Sequence, residues 1–249
     1  MALLDFQTAL GRLVRVADHA DPLRRLRLAP AERSFLEALP DSAGFRFTVA
    51  VQRSWCVGRA AGAATLTISV LPSDLRQRLL DRWTRAGGGT SSFVAAEADA
   101  LLDFIAGELP NPSHLLAACR FEQAALRASA GANSFVPPEW VGRGAPQFAL
   151  RRGSYAGAVG FHSDPHVVLS ALIERTELPP LSPDVTTFLF APGLDRLWQP
   201  ASAHEVALWT RLTGAVAVQA LLREGYARET IDALLQVGAI EYARPCPAP

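Results

Sequence analysis

Lysine is missing from this sequence, and all 24 basic residues are arginine. That excludes a Schiff-base lysine, a kinase-type phosphate-pairing lysine and the phosphate loop G-x-x-x-x-G-K-[ST]. An excess of charge is missing too: 24 Asp and Glu balance the arginines to a formal net charge of zero. Nothing in the global charge draws the chain to nucleic acid or an anionic membrane. The sequence has no run of about eighteen apolar residues and no basic start followed by an apolar stretch. The expectation is a cytoplasmic protein without a membrane partner. Cysteine is scarce, with Cys56, Cys119 and Cys246 widely spaced and no C-x-x-C pair. The odd count and spacing fit neither a zinc site nor a disulfide framework. Cys119 on an apolar stripe and Cys56 beside Trp55 read as buried thiols, and Cys246 sits in a proline-rich tail. There is no G-x-S-x-G elbow, and the glycines Gly87–Gly89, Gly142 and Gly144 lack the G-x-G-x-x-G spacing after a strand.

What is present is 249 residues, 49% of them hydrophobic, enough for one large or two modest domains with a real core. Residues 1–135 read as a helical domain. Apolar stripes of helical spacing mark Leu3–Ala17, Ala29–Ala38 with Pro30 near its start, and Ser73–Ala86 with Ser73 as cap and Gly87–Gly89 as stop. Within 45–71, Phe45, Phe47, Val49 and Val51 alternate like a strand, yet the whole reads better as a helix interrupted at Gly58 and Gly62. Val94, Ala98, Leu101, Leu102, Ile105 and Leu109 form the clearest stripe, with Glu97, Asp99, Asp103 and Glu108 pointing elsewhere. Pro110 and Pro112 break it, and Ser113 caps a helix to about Ala128.

Pro137, Pro138, Gly142, Gly144 and Pro146 mark a linker, and residues 148–243 read as a small α+β domain with an antiparallel sheet and three helices. Strands are expected in 148–161, at Val185–Phe190 and at Ala239–Tyr242. Helices are expected from Pro165, capped by Asp164, along Ser202–Leu222, and around Ile231–Leu235 with Gly238 closing the last.

Four groups are candidates for chemistry or binding. His162, Asp164 and His166 are the one compact set of metal-ligand types, but Pro165 opens a new helix between them, and the bland reading is a structural loop. Arg120 and Glu122 flank Phe121 on the helix after Ser113, where a carboxylate beside an apolar stripe asks for an arginine and so for a structural ion pair. Gln52, Arg53, Trp55 and Arg59 suit a protein surface, or simply edge the core. Thr186, Thr187, Phe188, Leu189 and Phe190 suit either a core strand or one that pairs with an extended peptide. No catalytic centre emerges.

The run Ser113–Ala128, preceded by Glu97–Ile105 and followed by Leu150–Ala156, Phe161–His166, Leu189–Leu194 and Leu221–Gly225, resembles the MbnC/TglI-like partner proteins of multinuclear non-heme iron oxidases that modify ribosomally synthesised peptides (RiPPs). The likeness covers roughly Trp83 to Tyr242. It implies a heterodimer in which iron and its ligands belong to a TIM-barrel oxidase subunit, with no cofactor in this chain. The partner protein holds the leader of a precursor peptide and presents a cysteine to the iron. The resemblance also implies that the C-terminal domain is winged-helix-like, of the RiPP recognition element kind; Thr186–Phe190 is then the candidate peptide-binding strand, and Gln52, Arg53, Trp55 and Arg59, which lie outside the likeness, are the candidate partner interface. The long stretch before Ser73 favours the 3-thiaglutamate type over the methanobactin type and leaves the product open. Two other classes compete: a winged-helix transcriptional regulator built on 202–242, and a metal-dependent enzyme using His162, Asp164 and His166. The regulator is disfavoured because Ile231–Val237 offers few basic or amide groups to DNA.

Overall fold

The computed structural model describes residues 2–15, 26–89, 94–138 and 148–243, and Cys246 lies outside them. The chain is mixed α+β, with helices throughout and two small antiparallel sheets in its second part. Its contacts divide it into two units, 1–108 and 109–249.

The first unit is helical: α1 (Ala2–Arg15), α2 (Pro30–Ala38), a 3-10 turn at Leu39–Asp41, α3 (Ala43–Ala63), α4 (Thr65–Val70), α5 (Ser73–Arg85) and α6 (Val94–Glu108). The ambiguous segment from 45 resolves as helix because Ser42 caps it, its hydroxyl accepting from the Phe45 amide. Phe45, Cys56 and Ala60 turn inward, and Phe45 joins Ala9, Leu13 and Leu36 in one apolar cluster. Gly58 and Gly62 do not interrupt α3. α5 begins one residue earlier than a Ser73 cap requires: Pro72 holds the cap position, and Ser73 is the first helical residue. The helix ends in a Schellman turn, with Gly88 N–H donating to Trp83 C=O at 2.9 Å while Gly87 takes φ +92°. In α6, Ala98, Leu101, Leu102 and Ile105 are fully buried. Glu97 departs from the amphipathic reading, being only 4% exposed and accepting from the Gly89 amide.

In the second unit α7 (His114–Ala132) starts at the Ser113 cap, whose hydroxyl accepts from Leu116 N–H, and runs a turn beyond the expected end. Then follow β1 (Ala149–Arg152), β2 (Gly157–Phe161), α8 (Pro165–Glu174), β3 (Thr186–Phe190), β4 (Trp198–Pro200), α9 (Ala203–Arg211), β5 (Val216–Ala217), α10 (Val218–Arg223), α11 (Arg228–Gln236) and β6 (Ile240–Tyr242). The contact division groups α7 with these elements, because it packs on β2 and β3. A Cβ at Gly157 would stand 2.9 Å from Ala124 Cβ, so only glycine lets helix and strand approach this closely. Phe121 reaches over the sheet to Phe161, Phe188, Phe190 and Trp198, with centroids 5.1–6.4 Å away.

One sheet was expected and two form, in the orders β5-β1-β6 and β2-β3-β4. Four helices follow β1 where three were expected, because Ser202–Leu222 is not continuous: α9 stops at Arg211, and Thr213–Gly214 lead into β5, which pairs with β1 through Ala149↔Ala217 and Leu150↔Val216. Glycine and a β-branched residue weaken a helix here, and a sheet edge is available instead. The first sheet packs with α9, α10 and α11 around Leu150, Leu208, Leu221, Ile231, Leu234 and Ile240.

Candidate peptide-docking edge

The five residues Thr186–Phe190 are β3, the central strand of its sheet. Phe188 pairs with both Val159 of β2 and Pro200 of β4, Leu189 with Ala158 and Gln199, and Phe190 with Gly157 and Trp198. At the N-terminal end Thr187 C=O already accepts from Ala201 N–H at 2.8 Å. Backbone groups committed on both sides cannot receive another strand, so the expectation of peptide addition at Thr186, Thr187, Phe188, Leu189 and Phe190 is corrected: Phe188, Leu189 and Phe190 are buried in the core, Thr187 is engaged on both sides, and Thr186 is the exposed first residue, paired with Phe161.

Open edges remain on the other strands. β5 has two residues, β4 ends in Pro200, and the outer side of β2 faces Leu116, Ala117 and Arg120 of α7 across a cavity of about 220 Å³. The edge of β6 is different. Ala243 N–H donates to Ala149 C=O and Gly153 N–H to Ala239 C=O, both at 2.8 Å, which makes Arg151↔Glu241 the hydrogen-bonded pair between them. Ile240 and Tyr242 therefore turn N–H and C=O away from β1, and among the described residues no backbone group bonds them. Beside this edge lies a mostly apolar groove of about 320 Å³, walled by Val136, Tyr155, Leu235, Gly238, Glu241 and Tyr242. Val136 is 79% exposed.

Two features hold the groove in shape. Gly238 has φ +72°, and a Cβ there would stand 2.4 Å from the Phe135 ring, so glycine alone permits the turn into β6 with Phe135 on top. Glu241 accepts from Ser154 N–H at 3.1 Å, from Ser154 Oγ at 2.8 Å and from Arg151 Nε at 2.8 Å. Partial burial pushes the Glu241 carboxyl up, but these Ser154 and Arg151 donors outweigh it and hold the group below the ordinary glutamate range.

The other candidate residues are not gathered here. Asp164 accepts from the amides of His166 and Val167 as the cap of α8, His162 Nδ1 bonds Ser182 C=O at 3.0 Å, and His166 is exposed. The carboxylate is thus engaged by the backbone, and among the described residues no three His, Cys, Asp or Glu side chains form a metal-holding group. Arg120 Nη1 donates to Gln123 Oε1 at 2.7 Å, and Glu122 next to it is half-buried. Cys119 is buried, as is Cys56, whose Sγ receives Gln52 Nε2 at 3.4 Å and Arg59 Nη2 at 3.3 Å. Gln52, Arg53 and Arg59 are half-buried while Trp55 is exposed. Tyr155, Val136 and Tyr242 were missed because nothing local marks them: a short strand at the end of the described chain is legible, but which of its sides stays unpaired is not.

No protein-family model matches the chain, and no curated protein matches it significantly.

Proposed function

We propose that this chain is a non-catalytic peptide-holding subunit of the MbnC/TglI-like kind, which binds the leader of a ribosomally made precursor peptide and offers its cysteine to a TIM-barrel iron oxidase that carries the metal. The observation that supports this reading best is the β6 edge. Two residues there present unpaired backbone groups next to an apolar groove, the combination that strand addition uses: main-chain hydrogen bonds for affinity and pockets for alternate side chains for selectivity. A three-stranded sheet backed by α9, α10 and α11 is the arrangement a winged-helix-like recognition element would have, and it lends the same reading weight. In it, an extended leader segment lies antiparallel or parallel to β6, pairs with Ile240 and Tyr242, and sinks alternate side chains between Tyr155 and Leu235.

The deciding experiment is a search of the adjacent genes for an iron-oxidase homologue and a short cysteine-containing peptide, followed by binding of that peptide to the full chain. Fluorescence anisotropy should show saturable binding through the leader half, and co-expression with the neighbouring oxidase should yield a complex that modifies the peptide cysteine. Absence of such neighbours, or no difference between the native and a scrambled leader, would overturn the proposal.

A further inference from the structure

We propose that the cavity between the outer edge of β2 and α7 is a second recognition site, one that takes the C-terminal carboxylate of an extended peptide. The strand supplies the backbone groups. Ala201 N–H donates to Thr187 C=O at 2.8 Å and Ala191 N–H to Leu197 C=O at 3.0 Å, so Thr187, Leu189 and Ala191 turn their backbone groups toward β4. Thr186, Phe188 and Phe190 then bond Phe161, Val159 and Gly157 of β2. Ala158 and Gly160 lie between these pairs and turn N–H and C=O outward, where among the described residues no backbone group bonds them.

This open stretch is closed at both ends. At one end α7 sits directly on the strand, a Cβ at Gly157 standing 2.9 Å from that of Ala124. At the other, Ser182 N–H donates to His162 C=O at 2.5 Å and His162 Nδ1 bonds Ser182 C=O at 3.0 Å, so the chain after α8 already covers the edge. His114 Nε2 against Pro179 C=O at 2.8 Å and Ser163 Oγ against Pro180 C=O at 2.5 Å hold that chain in place. A strand cannot run through such a window. Its cavity of about 220 Å³ suits the end of a chain.

Charge decides which end. Arg120 lines the cavity one helical turn from Ala124, hence beside its narrow end, and no Asp or Glu lines it. A peptide N-terminus would set an ammonium against the guanidinium, whereas a carboxylate meets Arg120 together with the outward amides of Ala158 and Gly160. Gln123 Oε1 receives Arg120 Nη1 at 2.7 Å, which orients a guanidinium of five donors. Leu116 and Ala117, on the same face of α7, give the last side chain an apolar wall.

The inference stands apart from the peptide reading, which rests on β6. Calorimetric titration of the full chain with N-acetyl-dialanine should give saturable binding at about 1 mM or tighter, while its C-terminal amide and free acetate each bind at least about tenfold more weakly. In amide NMR spectra the signals of Ala158 and Gly160 should move. Arg120→Gln should weaken binding at least about tenfold, with Arg120→Lys retaining part of it. Ala117→Leu fills the cavity from the helix and should abolish binding in a variant whose thermal transition stays cooperative. No binding, equal binding of acid and amide, or a folded Ala117→Leu variant that still binds would overturn the site. Acetate binding as tightly as the dipeptide would show a small-acid pocket with no chain on β2, which also refutes it. Movement at Ile240 and Tyr242 with none at Ala158 and Gly160 would place the dipeptide on β6, overturning this site and leaving the proposed function standing.

Discussion

Replacing Tyr242 by proline and, separately, by alanine isolates one backbone hydrogen bond of the β6 edge. Both substitutions remove the ring, which lies 5.2 Å from that of Phe148. They differ in the N–H. Because Arg151↔Glu241 is the hydrogen-bonded pair, the Tyr242 N–H points away from β1, and proline at 242 leaves the β1–β6 ladder intact. Proline at 241 would instead delete a ladder donor. A docked strand accepting from Tyr242 loses one hydrogen bond in the proline variant, about 0.5–1.5 kcal/mol net, and so binds about 2- to 12-fold more weakly than to the alanine variant. Anisotropy titration of the labelled leader peptide measures the ratio, and urea denaturation should place the two variants within about 1 kcal/mol of each other in stability. Equal affinity in two folded variants would refute docking at this edge.

Three further outcomes follow from the same packing. Phe121→Ala removes the ring that meets four others and should destabilise by about 3–5 kcal/mol in urea; a loss under about 1 kcal/mol would mean the cluster contributes little. Gly238→Ala combines a left-handed backbone with a clash against Phe135, so its thermal midpoint should fall, with a cost above about 1 kcal/mol; an unchanged midpoint would contradict the turn geometry. Glu241, held below the ordinary glutamate range by Ser154 and Arg151, contributes stability that is present above that range and lost as pH falls through its lower folded value. Wild type should therefore exceed Glu241→Gln at pH 7, with the gap closing in acid, and a gap independent of pH would exclude the carboxylate as its cause.

The helical elements were legible because their signals are local. The Asp164 cap, the Ser113 cap, the α6 stripe and the glycine stops are each written within a turn or two of the chain, and α8, α7, α6 and α5 lie where those signals put them. Ser202–Leu222 was misread because every turn of it is apolar enough for a helix, and only the presence of β1 makes 216–217 a strand. Glu97 misled for a similar reason: its place on the helical wheel says nothing of the Gly89 amide that receives it.

The candidate site was far less legible. Thr186–Phe190 was identified correctly as a strand, but a β-branched and aromatic run has the same composition whether it is central or at an edge, and the pairing on both sides of β3 decides. By itself, the sequence determined the arginine-only basicity with its exclusion of lysine chemistry, the helical first part, the α+β second part and most helix boundaries, since these depend on residue type and short-range spacing. Tertiary structure alone decided which strands remain open, that Phe135 closes over Gly238, and that Phe47, Val51 and Trp55 stay in water, because strand partners and solvent exposure are set by contacts between residues far apart in the chain.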